Sequence, residues 1–144
     1  MPPNSTFRVD LVEALYVLLA AYQTANPTLL RRVYRTRPGA FQELPAAFVG
    51  PRVETITHTS GTRERQINPT VVVVDTFMDN IETGDRMDIL MDDLVDVFTA
   101  GVRQIGNSLI EPTAVQPGEL EASGAIYRAE AIQFARTSIR EGRS

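Results

Sequence analysis

The chain of 144 residues has no cysteine, no lysine and no tryptophan, and a single histidine. Each absence removes a class of chemistry. Without a thiol there is no cysteine nucleophile, disulfide or thiolate metal site. Without an ε-ammonium there is no Walker-type phosphate lysine, Schiff base or lysine-assisted nuclease centre, because arginine stays protonated and cannot titrate or attack in its place. One histidine leaves zinc only carboxylates as further ligands, an uncommon set for that metal. Long hydrophobic runs are also lacking. The longest, Ala14 to Tyr22, falls well short of the roughly 20 residues that span a bilayer. Asp10 and Glu13 at its start argue against a signal peptide. No cofactor, metal or membrane partner is therefore expected.

What is present is ordinary for a globular chain. A hydrophobic fraction of 43% and a charged fraction of 22% suit one domain, residues 1–144, around a single core. The net charge of -4 and a pI near 5.0 argue against an obligate nucleic-acid binder, since neutralising phosphates takes a basic excess. An acidic wall past which DNA slides remains compatible with that balance.

Asn4, Ser5 and Thr6 offer N-caps, after which Val9, Val12, Leu15, Tyr16, Leu19 and Tyr22 recur at helical spacing until Asn26-Pro27. Leu11, Ala14, Leu18 and Ala21 widen that stripe, so this helix is expected to contact more than its own sheet. Leu29 to Arg37 predicts a short strand, and Ala40 to Gly50 reads as a packed loop. Val53 to Thr59 and Arg63 to Phe77 are two extended segments joined at Ser60-Gly61, a hairpin tip. The run Val71 to Val74 predicts a central strand buried on both faces. A second helix, capped by Thr83 with Asp85 in its first turn, follows Met87, Leu90, Met91, Leu94, Val97 and Phe98 and ends before Gly101.

Ser108 to Val115 predicts a strand and Gln116 to Gly124 a turn-rich connection. From Ala125 to Arg136, alternation of Tyr127, Ala129 and Ala131 favours a strand, whereas Ile126, Ala129, Ile132 and Ile139 fit a helical period. The strand is preferred here. Residues 137–144 are expected to be a flexible tail. The order predicts an α+β fold, a mainly antiparallel sheet with a long hairpin and two main helices packed on one face.

The most conspicuous polar set lies on the second helix, where Asp88, Asp92 and Asp96 follow i, i+4, i+8 beside Asp85 and Asp93. Like charges at that spacing repel by about 0.2–0.5 kcal/mol per pair. They mark either a solvated face or a contact with basic residues; the loop of a dedicated Ca²⁺ site is missing. Arg31, Arg32, Arg35 and Arg37 form the complementary set, with Arg31, Arg35 and Arg37 on one side of a predicted strand. They are either a charged edge that resists pairing or a clamp for carboxylates of a neighbour. His58 and Ser60 lack the elbow and the orienting acid of a hydrolase, and read as part of a polar hairpin tip. Asp75, Glu82 and Asp85 make a weak nuclease candidate without lysine.

Taken together, the segments Arg35-Thr-Arg-Pro-Gly, Glu43-Leu-Pro-Ala-Ala-Phe-Val-Gly, Ile56-Thr-His-Thr-Ser-Gly, Val71-Val-Val-Val-Asp and Asp85-Arg-Met-Asp resemble tail terminator proteins of long-tailed bacteriophages and related phage-like particles. The resemblance runs from the first helix to the Tyr127-Arg-Ala-Glu segment. It implies a structural virion protein, not an enzyme, that assembles in the host cytoplasm as a hexameric ring. That ring would cap the head-proximal end of the tail tube, end tube polymerisation and meet the head-tail connector or stopper, while DNA passes through it without specific binding. A connector or stopper protein is the nearest alternative. A ring needs two different patches that meet. The expected interface residues are Arg31, Arg35 and Arg37, the acidic set Asp88, Asp92 and Asp96, and, near the hairpin tip, His58, Arg63 and Arg65.

Overall fold

The computed structural model describes residues 7–50, 53–76, 81–101, 103–105, 108–135 and 137–142. Strand β5 (Thr70–Thr76), which carries the four-valine run, lies third of five in a sheet ordered β1 (Arg32–Tyr34), β2 (Ala46–Val49), β5, β9 (Ala125–Phe134) and β8 (Pro112–Ala122). Every neighbouring pair is antiparallel except β1 with β2. Alternation then splits each strand between two apolar layers. Ala47, Val49, Val71, Val73, Ile132 and Phe134 point into the layer beneath the helices. Ala46, Phe48, Val74 and Ala129 belong to a second, smaller layer on the opposite face.

Helices α1 (Phe7–Ala25) and α2 (Ile81–Ala100) both pack on the first layer. The fold is therefore α+β with its helices on one face. Tyr22 meets Asp93, and Leu18 abuts Gly101 and Val97, so the helices run antiparallel through their C-terminal halves. The core face of α1 is Phe7, Leu11, Ala14, Leu15, Leu19 and Tyr22. Fully burying Leu11, Leu15 and Leu19 is worth about 1.5–3 kcal/mol each before the entropy of ordering them. Val9, expected on that face, is 62% exposed, and Leu11 and Ala14, expected at its margin, are buried. The helix is apolar nearly all round, so periodicity alone could not fix its rotation. Helix α2 begins before Thr83, which is therefore an interior residue and not the cap; of its expected core residues, Met87, Leu90, Met91, Leu94 and Phe98 are buried and Val97 is half-buried. The proposed α1 caps lie outside the described residues.

Four other expectations are corrected. The segment Ala40 to Gly50 is not all loop: Ala46-Ala-Phe-Val is β2, buried throughout. Arg63 to Phe77 is not one strand. Pro69, which has no N–H for a ladder, separates β4 (Thr62–Asn68) from β5, and the two join different sheets; Phe77 lies outside the described residues. Gln116 to Ala122 is not a turn but the continuation of β8, in register with β9 from Gln116 opposite Ala131 to Ala122 opposite Ala125. Pro117 and Gly118 are tolerated because β8 is an edge strand. The segment expected to fray instead supplies β10 (Thr137–Gly142), paired antiparallel with β4.

A second sheet is thus ordered β10, β4, β3 (Val53–Thr59), its β3–β4 hairpin turning through Ser60-Gly61, where Gly61 has φ +80°. That left-handed value is what glycine supplies without a Cβ clash. Strands β6 (Arg103–Ile105) and β7 (Ser108–Ile110) form a short third ladder before β8.

Candidate interaction surface

The basic segment closes on its own chain. Strand β1 covers only Arg32–Tyr34, so Arg31, Arg35 and Arg37 do not share a strand face as expected. Arg32 Nε donates to Glu43 at 2.9 Å, with Arg31 4.0 Å from the same carboxylate. Arg35 pairs with Glu13 of α1 and lies over the Tyr16 ring, 4.6 Å from its centroid. Arg37 donates to the Glu121 carbonyl. These half-exposed pairs contribute about 0–1 kcal/mol each, but together they hold the β1–β2 loop against α1 and β8.

The acidic helix face is the reverse. Asp85, Asp88, Asp92 and Asp96 are exposed, and no ion pair to any of them is present among the described residues. Neither helix carries a basic residue in its last turn, so nothing local offsets the negative end of either macrodipole. Between the C-terminal halves of α1 and α2 lies a groove of about 490 Å³, floored by Leu18, Ala21, Ala25 and Val97 and rimmed by Asp93 and Asp96. Tyr22 Oη donates to Asp93 at 2.7 Å. Its own burial, and then the Asp93 carboxylate, push the Tyr22 hydroxyl well above the usual phenol range.

The second sheet forms an arm at the other end of α1. Glu54 of β3 accepts from Arg65 Nε at 2.6 Å and also from Arg8, while the Arg65 guanidinium stacks over the Phe7 ring at 5.1 Å. Burial alone would raise the Glu54 pKa; the Arg65 and Arg8 hydrogen bonds outweigh it and hold the carboxyl below its ordinary value. Arg65 is 13% exposed at its side chain, so it fastens the arm and is not a tip residue. His58 lies opposite Arg63 beside the tip, and Ile56, on the same strand face, is 48% exposed.

On the face of the five-stranded sheet away from the helices, Phe41 packs against Tyr34, Phe48 and Tyr127 with centroids 6.4, 6.1 and 5.2 Å apart. This aromatic plug covers one end of the face. The other end is a concavity of about 530 Å³ over Phe48, Val72, Ala129 and Ala131, with Arg37 at its rim. Sequence reading did not find it, although the small residues Gly118, Ala129 and Ala131 in alternation were its signal.

The sequence reading set Asp75 beside Glu82 and Asp85 as a weak nuclease candidate and missed its partner. Asp75, closing the valine run, has 0% exposure and takes two hydrogen bonds from Arg86 of α2, Nε to Oδ2 at 2.9 Å and the terminal nitrogen to Oδ1 at 2.7 Å. It is thereby committed to joining helix and sheet. Two residues along the same face of β9 from Arg128, which lies opposite Asp75, Glu130 is 3.8 Å from that guanidinium and its Oε2 is buried with no hydrogen bond. Burial raises its pKa, outweighing the opposing pull of Arg128, and Asp88 adds to the rise. Among the described residues no group of three metal-ligating side chains is arranged to hold a metal ion. No described helix is long and apolar enough to cross a membrane.

No family model matches the chain, and no curated protein matches it. Among solved structures, the chain is similar to a chain of the virion of a native gene transfer agent particle. The TM-score is 0.58 at 15% sequence identity, over 89% of this chain and 94% of that one. The likeness is one of fold, and it includes nearly the whole length of both chains.

Proposed function

We propose that this chain is a structural virion protein that forms a ring on the head-proximal end of a phage tail tube, ends tube polymerisation and presents the surface for head joining. The observation that carries the reading is the end-to-end fold likeness to a chain of a gene transfer agent virion, in a sequence whose segments resemble tail terminators. Its ring is hexameric, its partners are the tail tube protein and the head-tail connector or stopper, and DNA passes through its lumen.

Capping follows from asymmetry. A tube subunit carries complementary surfaces above and below, so stacking continues; a terminator ring keeps the lower surface and lacks the upper one, so stacking stops. The chemistry fits contact work. Arg31, Arg32, Arg35 and Arg37 are held within the chain, whereas Asp88, Asp92 and Asp96 stand as an exposed acidic face. An acidic lumen repels the DNA backbone and lets it slide.

Electron microscopy of particles assembled without this protein tests the proposal. Overgrown tail tubes without heads are expected. Tails of normal length beside heads that lose their DNA would assign the connector or stopper role instead, and intact particles would refute both.

A further inference from the structure

We infer that the β1–β2 loop is a guard strap: it reaches from the first strand of the five-stranded sheet to the last and, together with Pro117, closes the outer edge of β8 against strand addition by a second copy of the chain. This guard is independent of the ring assembly proposed above.

β8 is the edge that needs guarding. It is the longest strand of the sheet, no strand lies beyond it among the described residues, and residues 113–119 are exposed apart from none of their number. Which of its backbone groups face outward follows from the hairpin. Ser123 (φ 53°) and Gly124 (φ 78°) form a two-residue turn between the paired Ala122 and Ala125, and the pair flanking such a turn exchanges both ladder bonds. By alternation, Leu120, Gly118 and Gln116 then bond to β9, whereas Glu121, Glu119, Pro117 and Val115 turn their backbone groups outward. Two contacts agree. Pro117, opposite Glu130, has no N–H to give β9, and the Glu121 carbonyl is reached from outside by Arg37. An exposed row of outward N–H and C=O groups is a template for another strand. Its natural match is the same row on a second copy, antiparallel about a two-fold axis.

The row is interrupted at its middle and at its end. Pro117 removes a donor from the middle, and Arg37 occupies the acceptor at Glu121 and places a cation on the edge. Arg37 comes from the far side of the sheet. The loop leaves β1, reaches the tip of β8 at Arg37 and Gly39, where Ser123 Oγ donates to the Gly39 carbonyl at 2.9 Å, and returns over the face away from the helices with Phe41 packed on Phe48 and Tyr127. One loop thus ties the first strand to the last. β1 needs no such strap, because it is three residues long and carries Arg32 beside Arg31, and short, charged edges resist pairing.

Residue-resolved amide exchange on the full-length chain, dilute and concentrated, tests the guard. In the parent, Val115, Glu119 and Glu121 should exchange rapidly at both concentrations, while Gln116, Gly118 and Leu120 should be slower by about 100-fold or more. Arg37→Ala with Pro117→Thr opens the acceptor and restores the donor. On concentration this double variant should gain mass beyond the parent, with protection appearing at Val115 and Glu119. Arg37→Ala alone changes one exposed side chain and should associate more weakly through the same amides, which keeps the test decisive if the double variant does not fold. Protection of Val115 and Glu119 in the concentrated parent would make the edge an interface and overturn the guard. No gain in mass in either variant, or association with those amides still exchanging rapidly, would overturn it as well.

Discussion

Arg86→Ala leaves Asp75 as a fully buried carboxylate that has lost both hydrogen bonds from the guanidinium and keeps, among the described residues, the one from the Thr76 amide. Removing one partner of a buried pair costs about 3–5 kcal/mol. Here the Arg86 side chain is 40% exposed, so water can enter the vacated space, and the lower end of about 3 kcal/mol applies. For a chain of this length that is a fall in melting temperature of roughly 10 °C, at about 2–4 °C per kcal/mol and slightly more for smaller domains.

The reverse deletion differs. Asp75→Val extends the valine run and leaves only a partly exposed guanidinium that water can solvate, so its cost should be no more than about 1–1.5 kcal/mol. The double variant Asp75→Val with Arg86→Met replaces the pair by apolar groups and should return to within about 1 kcal/mol of the parent. Equilibrium urea unfolding of the four proteins, with slopes compared to confirm a common unfolding transition, gives the cycle directly. Equal losses for the two single variants, or a double variant at the sum of both, would refute the claim that the cost is an orphaned buried charge.

Two further outcomes follow from the structure. Glu54 has a lowered carboxyl pKa in the folded chain, so its contribution to stability is present above the unfolded-state value and is lost as pH falls through the folded one. Glu130 has a raised pKa: its contribution is full below the unfolded-state value and is lost as pH rises through the folded one. Unfolding free energy measured from neutral to acid pH should therefore lose its acid decline in part with Glu54→Gln, whereas Glu130→Gln should remove a gain that the parent shows on mild acidification. A Glu130→Gln curve parallel to that of the parent would contradict the burial argument. Phe41→Ala removes the aromatic plug from the sheet's open face; with Phe41 at 9% exposure the loss should be about 3 kcal/mol, read by denaturant midpoint, with increased binding of an environment-sensitive apolar dye at the enlarged concavity.

The sequence carried the elements that have an unambiguous period. The valine run could only be a central strand, and the i, i+3, i+4 pattern of Met87 to Phe98 could only be one face of a helix. It misread those where a single residue outweighs the pattern. Pro69 looks like an interruption within one long strand, yet it sends β4 and β5 to different sheets. Pro117 and Gly118 look like a turn, yet an edge strand has a free side on which a missing N–H is harmless. Val9 fitted the helical stripe of α1 and is exposed, because a helix apolar on every side does not state which side is inward.

The expected site divides the same way. Acidic residues at four-residue spacing had to share an edge of α2, and the Ser60-Gly61 tip had to place His58 and Arg63 together. Which charges meet was not local information. Arg31, Arg32 and Arg35 find Glu43 and Glu13, Arg65 lies between Phe7 and Glu54, and Asp75 reaches across to Arg86, all through contacts that packing creates between distant segments. The missing cysteine and lysine excluded their chemistry from the sequence alone, because a functional group that is absent cannot be supplied by folding. The groove between α1 and α2 and the arm at the opposite end of α1 came only from the tertiary structure, since a concave surface is a relation between elements and no single segment contains it.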